Sequence, residues 1–285
     1  MTCYAAPAAI ATLRDDARGD ATRLRDFNTL TFDVVGTLID FETGILDWFR
    51  PALREHGVSK ADEEILTTFA AVEDKYQRET PDKTFTQMLP LIYRGMTSGW
   101  GMEPHDEDAE GFRDSIRSWP PFPDTIETLK ELRARYRLVA VTNADSWALG
   151  YMSATMEDPF EEGITCDEVG VNKPSPRVFE YVLEKLAPAG VEKKDILHTA
   201  QSQYHDIVPA SALGFATMWI ERRSGKGGFG ATPRPERSVT PTFHAASMPT
   251  SSDKYERSSD NRRNEVPGAT RALNKDWATF IHRSA

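Results

Sequence analysis

Residues Thr29 to Leu38 read TLTFDVVGTL, and this stretch decides the fold. Its first seven residues are β-branched, aromatic or apolar except for Asp33, and Gly36 stops the run, so they read as a buried strand, Thr29 to Val35, ending in a turn. A carboxylate at the end of a buried strand is costly unless something pairs with it or uses it. Gly36 lets the chain turn sharply there, the amides beyond it can hold an anionic group, and Thr37 adds a hydroxyl. On its own the pattern also suits an Asp that merely caps the next turn.

Four further segments resemble the first strand: Leu138–Asn143, Ile164–Val169, Ile196–Ala200 and Ala216–Ile220. Helical patterns lie at Pro123–Tyr136, Pro176–Leu186 and Ile207–Leu213. Alternating strands and helices predict right-handed crossovers and an α/β fold with a Rossmann-like parallel sheet. One stretch breaks the alternation. Ile45–His56, Ala61–Arg78, Thr84–Ser98 and Asp106–Ser118 all read as helices, separated by Gly57, Pro81 and Gly99. This predicts a helical cap over residues 45–118, inserted after the first strand, with Trp119-Pro120-Pro121 marking the return to a core of residues 25–44 and 119–285. An insertion there overhangs the carboxyl edge of the sheet, where α/β folds bind ligands. Residues 1–24 read as a loose tail. The polar run 247–264 reads as a mobile loop, since it has too little apolar surface to order itself. Ala272–His282 reads as a last helix, and the glycine cluster Gly225, Gly227, Gly228 and Gly230 as a flexible turn that lacks the lysine and position of a phosphate loop.

Composition narrows the function. The 285 residues are 39% hydrophobic and 27% charged with a net charge of −10, which argues against a broad basic face for nucleic acid. The two cysteines, Cys3 and Cys166, are far apart and lack metal-site spacing, so they read as ordinary thiols in a reducing compartment. No apolar run reaches the roughly 20 residues of a membrane span, and the N-terminus lacks the basic start of a leader. The expectation is a cytoplasmic protein with no membrane partner.

Three later segments bring chemistry toward Asp33. Thr142 and Asn143 end the strand LVAVTN, Lys173 sits in the proline-pinned loop VNKPSP, and Asp206 follows the strand ILHTA. A carboxylate, hydroxyl and amide groups, a lysine and a second carboxylate would converge on one edge of one sheet.

These motifs resemble the haloacid dehalogenase superfamily, and within it the type II 2-haloacid dehalogenase branch. FDVVGTL is similar to the first motif, with the nucleophile at Asp33. VTNAD matches the second at Thr142 and Asn143, NKPSPRVF the third at Lys173, and AQSQYHD the fourth at Asp206. The resemblance covers residues 27–45 and 119–223 and implies a hydrolase that forms a covalent ester on Asp33. It implies catalytic roles for Asp33, Lys173 and Asp206, and substrate contacts from Val34, Val35, Thr37, Thr142, Asn143 and Gln203. Lys173 is expected to lower the Asp33 pKa, because a nearby cation favours the carboxylate. A small anionic substrate, a homodimer through the cap and no metal or other cofactor complete the expectation.

The superfamily also contains magnesium-dependent phosphatases, which carry a second Asp two residues after the nucleophile as general acid. Here that position is Val35, which cannot donate a proton, so dehalogenase-like displacement is favoured over phosphatase chemistry with Mg2+. A non-hydrolytic descendant, a lyase or cyclase, is a third reading. Departures from the dehalogenase branch fall at Val35 and Phe179, where it has Tyr, and at Gln201, Ser202 and Gln203, where it often has Ser-Ser-Asn. The cap arginine that grips its substrate has four candidates here, Arg50, Arg54, Arg78 and Arg94. His205 reads as a packed helix residue, and Trp48, Trp147 and Trp219 as packing.

Overall fold

The structure is a computed structural model and describes residues 22–248. Its elements in chain order are β1 (Thr29–Phe32), α1 (Phe41–Glu55), α2 (Asp62–Glu79), α3 (Phe85–Gly99), α4 (Asp106–Ser115), α5 (Thr125–Arg133), β2 (Arg137–Thr142), α6 (Ser146–Thr155), β3 (Glu162–Thr165), α7 (Cys166–Val169), α8 (Pro176–Leu186), β4 (Ile196–Ala200), a π-helical turn (Gln203–Ile207), α9 (Val208–Ala212), β5 (Ala216–Ile220) and β6 (Phe243–Ala245). The strands form one sheet in the order β3-β2-β1-β4-β5-β6, with every pairing parallel. β1 is therefore central, and its carboxyl end lies between those of β2 and β4. Both faces of the sheet are covered. Leu30, Phe32, Leu138, Ala140 and Leu197 belong to one core, and Val139, Val141, Ile164 and Ile196 pack with Val178, Phe179 and Val182 of α8 in a second. This double burial is why the strands read as nearly continuous apolar runs.

Strand ends differ from the sequence expectation for local reasons. β1 stops at Phe32 instead of running to Val35. Past Asp33 the chain leaves the ladder, and the Val34 carbonyl accepts from the amides of Thr37, Leu38 and Ile39 while Gly36 takes φ +88°. β3 covers Glu162–Thr165 and not Ile164–Val169, since Thr165 pairs with Thr142 at the end of β2 and the chain then turns into α7, closed by Gly170 at φ +83°. Helix α6 was not legible because it is apolar around its whole circumference; Asp145 caps it, accepting from the Ala148 amide at 3.0 Å. Strand β6 is three residues long, too short for a pattern. The segment expected as a helix from Ile207 begins as the π-helical turn at Gln203.

The four expected cap helices are α1 to α4. Helix α1 begins at Phe41 because Asp40 accepts from the Thr43 amide at 3.1 Å, and a reciprocal Thr84–Gln87 capping box starts α3. Their core is aromatic: Phe49 lies 5.6 Å from Tyr93 and 5.1 Å from Phe112 between ring centroids. The chain leaves and rejoins the sheet side by side, since the Asp40 amide donates to the Pro120 carbonyl and the Phe122 amide to the Leu38 carbonyl. Trp119, at this neck, packs against Gly44 of α1, where a methyl group would come within 2.6 Å of three indole atoms. Gly44→Ala is therefore expected to destabilise the fold by about 1–3 kcal/mol despite alanine's better helix propensity. The shift of the urea unfolding midpoint at unchanged slope measures it.

Residues 1–21 and 249–285 lie outside the described residues, and with them most of the N-terminal tail, most of the 247–264 loop and the helix expected at Ala272–His282. No helix among the described residues is long and apolar enough to cross a membrane.

Candidate active site

Asp33 stands one residue beyond β1, its amide still bonded to the Thr199 carbonyl of β4 at 3.0 Å. That last bond fixes the backbone, and the tight loop after it returns Thr37 to the carboxylate, where its hydroxyl donates to Asp33 Oδ2 at 2.6 Å. The same hydroxyl accepts from the Gln201 amide at 2.9 Å, tying the loops after β1 and β4 together. The amides of Gly36 and Thr37 are spent on Ile39 and Val34 carbonyls, while those of Val34 and Val35 donate to no protein acceptor among the described residues.

Lys173 is 1% exposed, and its ammonium makes three bonds: to Asp33 Oδ1 at 2.8 Å, to Asp206 Oδ1 at 2.7 Å and to the Val141 carbonyl at 2.8 Å. Asn143 fixes the backbone that carries it. Its side-chain amide accepts from the Lys173 amide at 2.7 Å and donates to the Lys173 carbonyl at 3.0 Å. Asp206 is likewise 1% exposed, and its Oδ1 also receives His198 Nε2 at 3.0 Å. With the ring proton on Nε2, His198 Nδ1 accepts from the Thr31 hydroxyl at 2.9 Å. Phe179 packs beneath this histidine, 5.2 Å between ring centres.

Three charges share this small volume, two negative and one positive, and they titrate in opposite directions. Burial favours neutral forms throughout. For Asp206, burial is outweighed by Lys173 and His198, which hold it at about 2. For Lys173, burial is outweighed by Asp206 and Asp33, which keep it above the usual lysine range. Asp33 goes the other way: burial, joined by the charge of Asp206, pushes it above the usual carboxylate range against the pull of Lys173 and Thr37. Lys173 does lower the Asp33 pKa as expected, but its pull does not offset the burial of Asp33 and the charge of Asp206, so the net shift is upward.

These groups open on a partly open cavity of about 40 Å³, room for a few water-sized groups. Of the expected substrate contacts, Val35, Thr142 and Asn143 line it beside Asp33, Lys173 and Asp206. The Val34 side chain does not; it is fully buried in the core, leaving only its backbone near Asp33. Thr37 acts on Asp33 from behind. Gln203 does not reach the cavity either. The π-helical turn aims it outward, where its amide bonds the Val239 backbone at 3.2 and 3.3 Å, and Gln201 and Ser202 take the places on the wall. None of the four candidate arginines lines the cavity. Arg50 pairs with Asp62, Arg78 with Asp74 and Arg94 with Asp106, and Arg54 is exposed.

Several residues at the site escaped the sequence reading. Glu73 lines the cavity from α2; Gln77, one turn on, stands behind it, donating to the Lys173 carbonyl at 3.2 Å while its oxygen meets His205 Nε2 at 3.2 Å. Ile65, Phe69, Glu73 and Gln77 continue one stripe along the helix, so polar residues on an otherwise apolar face were the available signal. His205, read as packing, lines the cavity, and burial drives its ring down to about 4, so it is neutral. The glycine cluster is tied down: Arg223 bonds Glu42 and Glu63, both at 2.6 Å, and the following Ala231, Thr232 and Pro233 form a wall. Trp48 and Trp219 are packing, Trp48 against Phe112 and Trp219 stacked on His244. Cys166 donates to the Asn143 carbonyl, and burial pushes its thiol up to about 12, too high for a nucleophile.

The residues present do not suit magnesium. The ion takes near-octahedral oxygen ligands, usually with one or two carboxylates, and here both carboxylates already grip one ammonium at 2.7–2.8 Å. Asp206 Oδ2 is the one carboxylate oxygen of this pair without a bonded partner, and it is buried away from solvent. The side chains at the head of the fourth motif, Gln201 and Ser202, add an amide and a hydroxyl but no charge.

Comparison with known proteins places the fold and the family. (S)-2-haloacid dehalogenase 1 of a Pseudomonas species is 22% identical over 198 residues, covering 67% of this chain and 83% of that protein. Pyrophosphatase PpaX of Bacillus pumilus is 25% identical over 195 residues, covering 68% and 82%. Among solved structures, L-2-haloacid dehalogenase from Xanthobacter autotrophicus with chloropropionic acid covalently bound superposes with a TM-score of 0.64 at 19% identity, over 84% of this chain and 100% of that one. The profile of the haloacid dehalogenase-like hydrolases matches residues 27–200, from the strand that carries Asp33 to the end of β4, and the chain belongs to that family.

Proposed function

We propose that this hydrolase works without a metal and that Asp33 displaces halide from carbon. An Asp33 oxygen attacks the substrate carbon, the carbon–halogen bond breaks, and halide departs with the bonding electrons. Water then adds to the Asp33 carboxyl carbon, the ester bond breaks, and the alcohol leaves while Asp33 is restored, with one proton from water going to the alcohol and one to the medium. Splitting one difficult displacement in two is the gain of covalent catalysis. Lys173 and Thr37 hold the carboxylate in place. The uncommitted Val34 and Val35 amides offer donors for the negative charge that develops on the ester carbonyl. Asp206 acts as a positioning residue for Lys173. The observation that carries this reading is Val35 lining the cavity beside Asp33. No acid stands where a phosphatase of this family has one, and halide needs no proton to leave. The pyrophosphatase relative keeps phosphate esters in the comparison, so release of phosphate with added magnesium is the control.

Turnover in heavy-oxygen water tests the ester. Under single-turnover conditions label is expected in the peptide that contains Asp33, and the alcohol is expected to carry the oxygen of the unlabelled carboxylate. Label found only in the alcohol would mean direct attack by water and would overturn the covalent route.

A further inference from the structure

Glu73 has no assigned part in this chemistry, yet it projects from α2 into the same cavity as Asp33. It is 7% exposed, and its carboxyl makes no hydrogen bond or ion pair among the described residues. Its oxygens face the cavity with no partner among the described residues, and burial of the rest of the side chain favours the neutral acid. Its surroundings supply no counter-charge. On its own helix Asp74 adds a like charge and is itself paired with Arg78 at 2.7 Å. From the π-helical turn it faces Tyr204 and the neutral ring of His205, whose Nε2 proton is committed to Gln77. Across the cavity, Lys173 is divided between Asp33 and Asp206. Arg223, behind the wall, is held by Glu42 and Glu63. Burial, with Asp74, pushes Glu73 up to about 8.

The charge count of the cavity bears on the substrate. At neutral pH it holds one cation against two carboxylates, and the rest of the lining is apolar or uncharged: Val35, Phe41, Phe85, Ala231 and Pro233 among others. A substrate carboxylate would enter a space that is already negative and find no free cation. An uncharged carbonyl would find the O–H of Glu73.

We propose that Glu73 is the specificity-determining residue of this site, donating a hydrogen bond as a neutral acid to an uncharged acceptor, and that the cavity takes small halogenated amides or esters in preference to haloacids. This rests on the halide-displacing reading for its halogen but not for its choice of polar group. A carboxylate could accept from the same O–H, so the preference for an uncharged carbonyl comes from the excess negative charge of the cavity. Deprotonation of Glu73 removes the donor and adds a charge, so binding weakens as pH rises.

Two measurements test it. The first compares 2-chloropropionamide with 2-chloropropionate, near-isosteric, by chloride release between pH 6 and 9.5. The amide is expected to show at least a tenfold higher kcat/KM at pH 7. Above about pH 8 its KM is expected to rise toward tenfold per pH unit, with kcat changing much less. Glu73→Gln keeps a donor without the titration and is expected to flatten that KM limb; a merely structural Glu73 would not move it. Preference for the haloacid, or a limb that survives in Glu73→Gln, overturns the proposal. The second measurement needs no turnover: ligand-observed NMR of wild-type protein with unreactive propionamide and propionate at pH 7 and 9.5. Propionamide is expected to bind, and more weakly at the higher pH. Stronger binding of propionate, or binding of neither, overturns the proposal. If propionamide binds while neither chlorinated compound releases chloride, halide displacement is wrong and the assignment of Glu73 stands.

Discussion

Asp33→Asn is expected to lower kcat on the order of 10⁴-fold or more, the scale of losing a covalent nucleophile, while leaving the fold intact. The two effects separate because of the electrostatics of the site. In the wild type the folded state raises the Asp33 pKa above its ordinary 3.8. The folded protein thus binds that proton more tightly than the unfolded chain does. Stability from this group is fully present below about pH 3.8 and is lost as pH rises through the raised value. At pH 7 the ionised Asp33 therefore weighs against folding. An amide in its place still accepts from Lys173 and relieves the repulsion with Asp206. The variant should unfold at the same or a higher urea concentration than wild type at pH 7, and the difference should shrink toward pH 4. The acid side of the wild-type activity profile should likewise fall at a pH above the ordinary carboxylate range, since only the ionised form attacks. A variant that kept more than a tenth of wild-type activity would exclude Asp33 as nucleophile. One that was inactive and markedly less stable would mean that Asp33 serves the fold.

Lys173→Met should do the opposite, costing stability first. The substitution leaves two carboxylates buried within reach of the place vacated by one ammonium. Removing one partner of a buried ion pair costs about 3–5 kcal/mol. The Val141 carbonyl also loses its donor. The loss at pH 7 should be read from urea unfolding. It should be partly recovered as pH is lowered and one carboxylate takes a proton, because a neutral Asp33 no longer repels Asp206. Activity should fall as well, since the nucleophile then ionises only at higher pH. A loss under about 1 kcal/mol would show that the cluster is solvated and that Lys173 does not hold it together.

Both predictions concern groups that the sequence brings to one place without showing how their charge is divided. TLTFDVVGTL, LVAVTN and ILHTA declare their strands through nearly continuous β-branched and apolar residues, as a sheet buried on both faces requires. Once those strands are parallel, Asp33, Thr142 and Asn143 must lie at one edge, and the loops bearing Lys173 and Asp206 end there too. The helical insertion is legible for a similar reason, as a long stretch whose apolar period is that of helices. Helix α6 and strand β6 are not: one lacks a polar face and the other lacks length.

The rest depends on tertiary structure. Sequence order says nothing of which face of the π-helical turn Gln203 occupies, and the turn sends it to Val239 while Ser202 and His205 stay on the cavity. Cap arginines are visible as basic residues, and Arg78 pairs with Asp74 at helical spacing, but Asp62 and Asp106 become neighbours of Arg50 and Arg94 only through helix packing. Glu73 appears in the sequence as one of many acids. It becomes an uncharged donor only where α2 closes over the sheet edge, because a pKa is set by burial and by the charges nearby, and both are properties of the folded chain. The strands β1 to β5 and the order of the motifs, with Asp33 as the proposed nucleophile, are thus legible in the sequence alone. The charge of the cavity, and with it the kind of substrate admitted, is decided by which side chains the tertiary structure leaves without a partner.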